Sequence, residues 1–257
     1  MLADLTAGAV ADAARRQDAL PLPMLESLAL SAPAVIDSYE ALSPSSSIKV
    51  IAEVKRASPS RGDLAPITDP AALATLYQSG GASAISVLTE ERKFLGSLDD
   101  LHAVRAAVSV PVLRKDFIAT PYQVWEARAA GADIVLLIVA ALQPDTLESL
   151  YELATELGMG VLVETHSADE VEQAVDLGAR LIGVNARDLT TFELDRELFG
   201  SVMHRIPAGT IRIAESAVRD ASDVAHYRAA GADVVLVGEA LVTGDPLVTL
   251  SNFLAVS

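Results

Sequence analysis

The segments G-A-D-I-V-L-L at residues 131–137 and G-A-D-V-V-L-V at residues 231–237 repeat one pattern. Two further copies read G-A-S-A-I-S-V at 81–87 and G-A-R-L-I-G-V at 178–184. Each Gly follows an Ala-rich amphipathic stretch and suits the position after a helix, because Gly takes a positive φ at little cost. The apolar run that follows is typical of a buried parallel strand. The repeat therefore predicts successive helix–turn–strand units.

Four more apolar runs alternate with these copies, at residues 50–54, 110–113, 160–163 and 211–214. The segments between the runs begin with helix-capping signals. These signals are Asp69-Pro70, Thr120-Pro121, Asp245-Pro246, and Ser167 followed by Glu170. Eight short strands separated by capped helices predict an α/β fold, a closed (β/α)8 TIM barrel. An open doubly wound sheet is disfavoured, because no G-x-G-x-x-G follows the first strand.

Residues 1–47 differ from the rest of the chain. A helical stretch at 5–17 is followed by prolines that divide the segment into short pieces. We interpret residues 1–47 as an N-terminal helical extension, because the segment is too short to bury a core of its own. Residues 1–257 would then form a single barrel domain.

The composition excludes several classes of function. A net charge of −16 argues against a nucleic-acid surface, which needs clustered Lys and Arg. The absence of Cys excludes disulfides and thiolate catalysis. The four His are scattered and Lys stands among the carboxylates, so no metal site is expected. Without a signal peptide or an apolar run of ~18–20 residues, the sequence predicts a cytoplasmic protein with no membrane partner.

The stretch I-A-E-V-K-R-A-S-P-S-R-G at residues 51–62 holds the first candidate site residues. Glu53 and Lys55 stand two apart at the end of a predicted strand, so their side chains point the same way. A Ser- and Gly-containing loop follows. The pair fits either a catalytic rim or an ion pair that closes a barrel end, and this stretch alone favours neither.

Polar residues also end the other predicted strands. In a (β/α)8 barrel these ends meet at one mouth, where the chemistry takes place. Solvated surface charges are the ordinary alternative, but carboxylates and ammonium groups that converge can tune one another as acids and bases. His166, just beyond one strand, is interpreted as a loop or capping residue. The candidates are Glu53, Lys55, Lys115, Glu164, Asn185, Arg187, Glu215 and Ser216.

The ends of the last two strands predict a phosphate site. Loops in this position commonly bind phosphate through backbone N–H groups and a short helix N-terminus. Ser216 with Ala217, and Gly238 with Glu239, would supply the donors. Gly238 would alternatively serve only a tight turn.

Seven motifs stand in order along nearly the whole chain: I-A-E-V-K-R-A-S-P-S-R-G at 51–62, S-V-L-T-E at 86–90, P-V-L-R-K-D-F at 111–117, L-V-E-T-H at 162–166, G-V-N-A-R-D-L at 183–189, A-E-S at 214–216 and L-V-G-E-A-L at 236–241. In these motifs the chain resembles the indole-3-glycerol phosphate synthase family. The first and third motifs are specific to that family, and the last is shared with other phosphate-binding barrels.

The resemblance implies ring closure of 1-(2-carboxyphenylamino)-1-deoxyribulose 5-phosphate with loss of carbon dioxide and water. This carboxy-lyase reaction of tryptophan biosynthesis needs no redox cofactor and no metal. The resemblance implies that Lys115 is the general acid at the keto oxygen, and that Glu164 and Lys55 serve the dehydration. The other implied roles are orientation by Glu53 and Asn185, carboxylate binding by Arg187 with Lys55, a phosphate cradle at Ser216 and Gly238, help from Ser58 in the first loop, and pocket walls at Phe94 and Phe117.

Two residues depart from the family pattern. Ala217 stands where the family usually has Gly, and Leu95 where a smaller or more polar residue is usual. Because a non-Gly residue rarely has a positive φ, we predict a negative φ at Ala217. Two other functions stay open: a non-catalytic barrel that binds a phosphate metabolite, and a phosphoribosyl-anthranilate isomerase, which would favour an Asp or Cys acid–base pair. A monomer is expected more than a dimer.

Overall fold

The computed structural model describes residues 1–188, 191 and 193–257. Eight parallel strands close into a barrel in which the first strand pairs with both the second and the last, which confirms the predicted fold class. The barrel strands are β1 (Lys49–Val54), β4 (Ala84–Leu88), β5 (Val112–Lys115), β6 (Ile134–Ile138), β7 (Gly160–Thr165), β8 (Leu181–Asn185), β9 (Ile211–Glu215) and β10 (Val234–Val237). Between β1 and β4, the short strands β2 (Ala57–Ser58) and β3 (Gly62–Asp63) form an antiparallel hairpin.

Helices precede and surround the barrel. The N-terminal extension forms α1 (Leu2–Ala19), α2 (Leu22–Ser31) and α3 (Ser38–Ala41). The remaining helices are α4 (Pro70–Ser79), α5 (Leu98–Ala107), α6 (Pro121–Ala129), α7 (Pro144–Glu156), α8 (Ala168–Asp176), α9 (Leu198–Val202), α10 (Ala221–Ala229), α11 (Glu239–Thr243) and α12 (Pro246–Leu254). In the described part of the chain, no helix is both long and apolar enough to cross a membrane. The predicted limits of the single domain and of its extension stay predictions.

The predicted helix starts are confirmed at three positions. Asp69 accepts a hydrogen bond from the Ala72 N–H, and Asp245 caps α12 in the same way. Thr120 and Gln123 form a reciprocal capping box. Each cap satisfies a backbone N–H that has no partner within its helix, which fixes where the helix begins.

The capping box predicted at Ser167 and Glu170 is formed only in part. The Ser167 side chain accepts a hydrogen bond from the Glu170 N–H. In a full capping box the Glu170 carboxylate would accept the Ser167 backbone N–H. Here it accepts the His166 backbone N–H instead, at 2.8 Å. His166 is therefore drawn against the start of α8.

In the repeated G-A-D segment, the Gly allows a left-handed turn and the Asp accepts hydrogen bonds from a neighbouring strand. Gly131 and Gly231 have φ values of 85° and 101°, in the left-handed region that the sequence predicts for them. Asp133 is buried and accepts the Val112 N–H at 2.8 Å, and Asp233 accepts an N–H of β9 at 3.0 Å. Each Asp thus ties the start of one strand to its neighbour at the end of the barrel opposite the mouth.

The strand predicted at 110–113 runs instead from Val112 to Lys115. Pro111 has no N–H to give to a strand ladder, so the strand begins after it. The shift makes Lys115 the last residue of β5, where it pairs with Leu88 of β4. Lys115 is therefore held by the rigid barrel wall.

The N-terminal helix α1 packs across the barrel mouth. Leu5 and Ala9 are buried in the apolar cluster that fills the barrel interior, and this cluster extends to Phe117 and Ile138. Side chains of α1 are also fixed by ion pairs, among them Asp12 with Arg92, whose Nε lies 2.9 Å from the Asp12 carboxylate. The extension is thus attached to the loops that surround the site.

Candidate active site

A cavity of about 530 Å³ opens at the C-terminal ends of the barrel strands. Because parallel strands end together, residues from distant parts of the sequence meet there. Every site residue predicted from the sequence lines this cavity: Glu53, Lys55, Ser58, Phe94, Lys115, Phe117, Glu164, Asn185, Arg187, Glu215, Ser216, Ala217, Gly238 and Glu239.

Lys115 lies between two buried carboxyl groups. Its Nζ is 2.7 Å from Glu164 Oε2 and 3.3 Å from Glu215 Oε2. Burial acts to lower the pKa of Lys115, but the charges of Glu164, Glu215 and Glu53 outweigh it, and the pKa is raised above its ordinary value. Lys115 is therefore an ammonium group at neutral pH, with a proton to give.

The two carboxyl groups beside Lys115 are in different states. Burial acts to raise the pKa of Glu164, but Lys115 and His166 outweigh it, and the pKa lies well below its usual value. Burial and the negative charge of Glu164 together raise the pKa of Glu215 to about 8. Near neutral pH the pair therefore holds one ionised carboxylate, on Glu164, and one protonated carboxyl group, on Glu215.

Asn185 orients this cluster from β8. Its Nδ2 donates to Glu164 Oε1 at 3.0 Å, and its Oδ1 accepts the Ser216 hydroxyl at 2.8 Å. The Arg187 N–H also donates to Asn185 Oδ1, at 3.0 Å. Asn185 thus links the acid–base cluster to the loop predicted to hold phosphate.

Glu53 and Lys55 form the ion pair that one interpretation of their spacing predicted, and a catalytic role stays a prediction. Lys55 Nζ lies 2.7 Å from Glu53 Oε1, so the two form an ion pair, and both side chains line the cavity. Ser86 donates to the second Glu53 oxygen at 3.1 Å. The pair is close to Gly238, where a Cβ would stand 2.7 Å from Glu53 Oε1 and 3.1 Å from Lys55 Nζ. Gly238 has a φ of −119°, so it is needed here for space and not for an unusual turn.

An apolar wall lies beside these charges. The rings of Phe94 and Phe117 are tilted against each other with centroids 6.2 Å apart. The loop that carries Phe94 is fixed by Glu90, whose carboxylate accepts the backbone N–H groups of Arg92 and Phe94 at 3.0 Å and 2.9 Å. The wall is suited to the face of an aromatic ring.

The prediction of a negative φ at Ala217 is wrong. Ser216 and Ala217 have φ values of 68° and 56°, so both are left-handed, and Leu95, the other departure, has a φ of 54°. The chain turns sharply at the end of β9, while the Ser216 hydroxyl reaches Asn185 and its carbonyl accepts from the Tyr227 hydroxyl at 3.4 Å. These contacts hold the turn in a conformation that costs a non-Gly residue ~1–2 kcal/mol.

Three predicted binding residues lie around the rim. Ser58 stands in the β2–β3 hairpin and is half-buried. The Glu239 carboxylate is paired with Arg61 at 2.9 Å, which offsets its negative charge. Burial, opposed by Glu239, lowers the pKa of Arg187 from its ordinary value. Leu189, the last residue of the motif at 183–189, lies outside the described residues.

His166 contacts the cluster, which its interpretation as a loop or capping residue did not include. Its Nε2 lies 3.2 Å from Glu164 Oε1 and its Nδ1 lies 3.3 Å from Glu170 Oε2. Burial acts to lower the pKa of His166, but the two carboxylates outweigh it and raise the pKa to about 10. The sequence feature that could have predicted this contact is the position of His166 two residues after Glu164, a spacing that places both side chains on one face.

Three cations that line the cavity were also missed: Arg61 of the β2–β3 hairpin and two further arginines. Arg196 and Arg219 both pair with the buried Asp223, and the Arg219 Nε lies 3.1 Å from it. Both arginines come from loops, where the strand periodicity gives no signal. Among the described residues, no cluster of His, Asp and Glu has the arrangement of a metal site.

Comparisons with known proteins agree with this geometry. The family model described as indole-3-glycerol phosphate synthase matches residues 2–249. The chain is 67% identical to the indole-3-glycerol phosphate synthase of Leifsonia xyli subsp. xyli, covering 98% of this chain and 97% of that relative. It is 54% identical to the enzyme of the same name from Beutenbergia cavernae, covering 99% and 95% of the two chains.

A solved structure also shares the fold at low sequence identity. The N-acetylmannosamine-6-phosphate 2-epimerase from Clostridium perfringens superposes with a TM-score of 0.62 at 14% identity, over 82% of this chain and 94% of that one. At that identity the likeness concerns the barrel alone. The family match and the near full-length relatives go further, and by them the chain belongs to the indole-3-glycerol phosphate synthase family.

Proposed function

We propose that the chain performs this family's carboxy-lyase reaction in the 530 Å³ cavity, with Lys115 as the general acid of ring closure. The observation that carries the proposal is the cluster in which Lys115 lies 2.7 Å from Glu164 and 3.3 Å from Glu215. The cluster holds one ammonium, one carboxylate and one protonated carboxyl group. Those are the proton donors and acceptors that condensation and dehydration require.

In the first step, the ring carbon that bears the carboxylate attacks the keto carbon of the ribulose chain. A carbon–carbon bond forms, and the keto oxygen takes a proton from Lys115 Nζ. A raised pKa does not prevent this transfer, because the developing alkoxide is a stronger base than the amine of Lys115 and is comparable to hydroxide. Loss of carbon dioxide then returns the bond electrons to the ring and restores its aromaticity.

In the dehydration step, the new hydroxyl group leaves as water. Lys55 supplies the proton to that hydroxyl, and Glu164, the ionised carboxylate, takes the proton that the substrate must lose. Asn185 holds Glu164 through the 3.0 Å hydrogen bond, and Glu53 holds Lys55 through the 2.7 Å ion pair. Proton-transfer groups of this kind typically contribute ~10²–10⁴-fold each.

The substrate's three functional regions have separate partners. Arg187 and Lys55 meet the anthranilate carboxylate, and Phe94 and Phe117 contact its ring. The phosphate is held by backbone N–H groups of the Ser216–Ala217 turn and of Gly238. The binding of a phosphorylated small molecule agrees with the names that the relatives carry.

A turnover assay tests the proposal. The wild-type chain is incubated with 1-(2-carboxyphenylamino)-1-deoxyribulose 5-phosphate while indole fluorescence and carbon dioxide are measured together. We expect both to rise in equal amounts. Tight substrate binding without either product would instead support a catalytically silent barrel.

We further propose that the chain acts as a monomer in the cytoplasm. All the residues proposed for the site come from one chain, so the reaction needs no second copy. A doubly ionised phosphate ester does not cross membranes readily, so the enzyme is expected where its substrate is made. Sedimentation at micromolar concentration, compared with the mass of 26.9 kDa, tests the monomer.

A further inference from the structure

We propose that His166, anchored by Glu170, is a positioning residue that acts with Lys115 to keep Glu164, rather than Glu215, the ionised carboxylate of the cluster. The inference rests on the proposed function, because it concerns the group proposed to act as the base. It adds a residue that lies behind the cavity wall and has no part in the roles described above. The argument begins with the two carboxylates themselves.

Glu164 and Glu215 are both buried beside Lys115, with 1% and 2% of their side chains exposed. Lys115 Nζ donates a hydrogen bond to Glu164 Oε2 at 2.7 Å and stands 3.3 Å from Glu215 Oε2, so the lysine itself favours the charged form of Glu164. That preference is lost once Lys115 has given its proton to the substrate. The other neighbours of the two carboxyl groups then decide which of them is ionised.

Those other neighbours are unequal. Glu164 Oε1 has Asn185 Nδ2 at 3.0 Å and His166 Nε2 at 3.2 Å. Within residues 1–188, 191 and 193–257, the corresponding Glu215 Oε1 has no hydrogen-bond partner. One hydrogen bond from Asn185 and the positive charge of His166 beside it favour the charged form of Glu164, and a buried oxygen without a donor favours the neutral form of Glu215.

The surroundings of His166 favour its doubly protonated, positively charged form. Its Nδ1 lies 3.3 Å from Glu170 Oε2, and its Nε2 lies 3.2 Å from Glu164 Oε1 as an ion-pair contact without hydrogen-bond geometry. Two carboxylates this close to one imidazole stabilise the cation. A pKa of His166 raised to about 10 agrees with this state.

Glu170 fixes the ring as well as its charge. The same carboxylate oxygen of Glu170 that faces Nδ1 also accepts the His166 N–H at 2.8 Å. Ser167 caps the same helix by accepting the Glu170 N–H at 3.2 Å. The imidazolium is thus held between α8 and β7, with only 9% of its side chain exposed.

The other charged groups around the cluster cannot replace His166. Glu53 on β1 is occupied by Lys55 at 2.7 Å, while Lys115 on β5 is shared with Glu215 on β9. When Lys115 gives its proton to the substrate, the cluster loses that positive charge. His166 then keeps Glu164 ionised for the dehydration step.

The test is the pH dependence of kcat in His166→Gln, which can still donate a hydrogen bond but carries no charge. Loss of the imidazolium raises the pKa of Glu164, so the acid limb of the profile should move to higher pH by roughly one unit. At a pH on that limb kcat should fall about tenfold. KM should change much less, since Glu164 is proposed to act in proton transfer and not in binding.

Two variants complete the experiment. His166→Lys restores a cation and should return the acid limb toward its wild-type position. His226→Gln is the matched control: it removes another histidine next to a glutamate, with its Nε2 3.5 Å from Glu197, and should leave the profile unchanged. A purely structural role for His166 would lower the melting temperature without moving the limb.

An unmoved limb in folded His166→Gln would overturn the inference. If that variant does not fold, Glu170→Gln decides, because an unanchored His166 should move the limb in the same direction by a smaller amount; an unmoved limb there would also overturn it. Failure of the proposed function is recognised separately, by absence of turnover in the wild-type chain or by full activity of Glu164→Gln.

Discussion

Glu215 Oε1 occupies the space that a side chain at Gly183 would need. A Cβ built on Gly183 would stand 2.1 Å from that oxygen and 3.1 Å from Leu162 Cδ1. Gly183 lies on β8, and Glu215 lies on the neighbouring strand β9. The absence of a side chain on one strand therefore lets the carboxyl group of the next strand lie deep beside Lys115.

We expect Gly183→Ala to lower kcat by about 10²-fold, because a displacement of about 1 Å at the reacting groups costs that much. The methyl group would push the Glu215 carboxyl group out of its position. Because this group stands at the end of a long side chain, it can move, so the loss of stability should be only ~1–3 kcal/mol. Steady-state kinetics and urea unfolding measure the two effects.

Gly200→Ala is the matched control. A Cβ on Gly200 would meet Ala230 Cβ at 3.6 Å, an ordinary contact, and Ala is favoured over Gly within a helix. Activity should be unchanged. A Gly183→Ala variant as active as this control would show that the position of Glu215 has no bearing on the reaction.

Ala217→Gly should stabilise the fold by ~0.5–1 kcal/mol. The gain is the ~1–2 kcal/mol of left-handed strain that is relieved, less the ~0.5–1 kcal/mol of backbone entropy that Gly loses. Affinity for inorganic phosphate should not change, since the turn keeps its shape. Thermal unfolding tests the stability, and Ala225→Gly in the exposed middle of α10 should be destabilising by ~0.5–1 kcal/mol instead. Equal losses in both variants would contradict a strained Ala217.

The stability of the folded chain should fall between about pH 4.5 and pH 8 through Glu215. Its pKa is raised from 4.5 to about 8 in the folded chain, so in this window the folded state binds more protons than the unfolded one. The contribution is complete below the unfolded pKa and is lost as the pH rises through 8.

Glu215→Gln removes this titration. The free energy of unfolding of the variant, relative to wild type, should therefore rise from pH 5 to pH 8. Urea unfolding at several pH values measures it. A constant difference between the two proteins would mean that Glu215 has no raised pKa.

Glu164→Gln keeps the shape of the side chain and one acceptor oxygen but cannot accept a proton. We expect a fall in kcat of ~10²-fold or more with a small change in KM, as for a group that acts mainly in the transition state. Asn185 would still hold the amide in place. A change confined to KM would show that Glu164 only binds the substrate.

The sequence predicts the parts of the molecule that depend on local pattern. The structure confirms three features that follow from backbone geometry: the Gly that begins each repeat, the caps at Asp69 and Thr120, and the two-residue spacing of Glu53 and Lys55. Closure of the barrel then brings the strand ends together. The candidate cavity was therefore predictable as a set of residues.

Features that depend on packing between elements were not predictable. The left-handed turn at Ala217 is set by contacts of Ser216 with Asn185 and Tyr227, which come from other elements. The unequal states of Glu164 and Glu215 depend on burial and on the distances of both groups from Lys115, which comes from another strand. A sequence names such groups but does not give the distances between them.

The central claim is that Lys115 delivers a proton to the keto oxygen, and kcat of Lys115→Met tests it most directly. Methionine keeps the length and the apolar part of the side chain but has no proton to give. The account predicts a folded protein whose production of indole fluorescence falls by at least ~10²-fold, while Lys93→Met, at an exposed lysine, stays at the wild-type rate. Near-normal turnover of folded Lys115→Met would contradict the account.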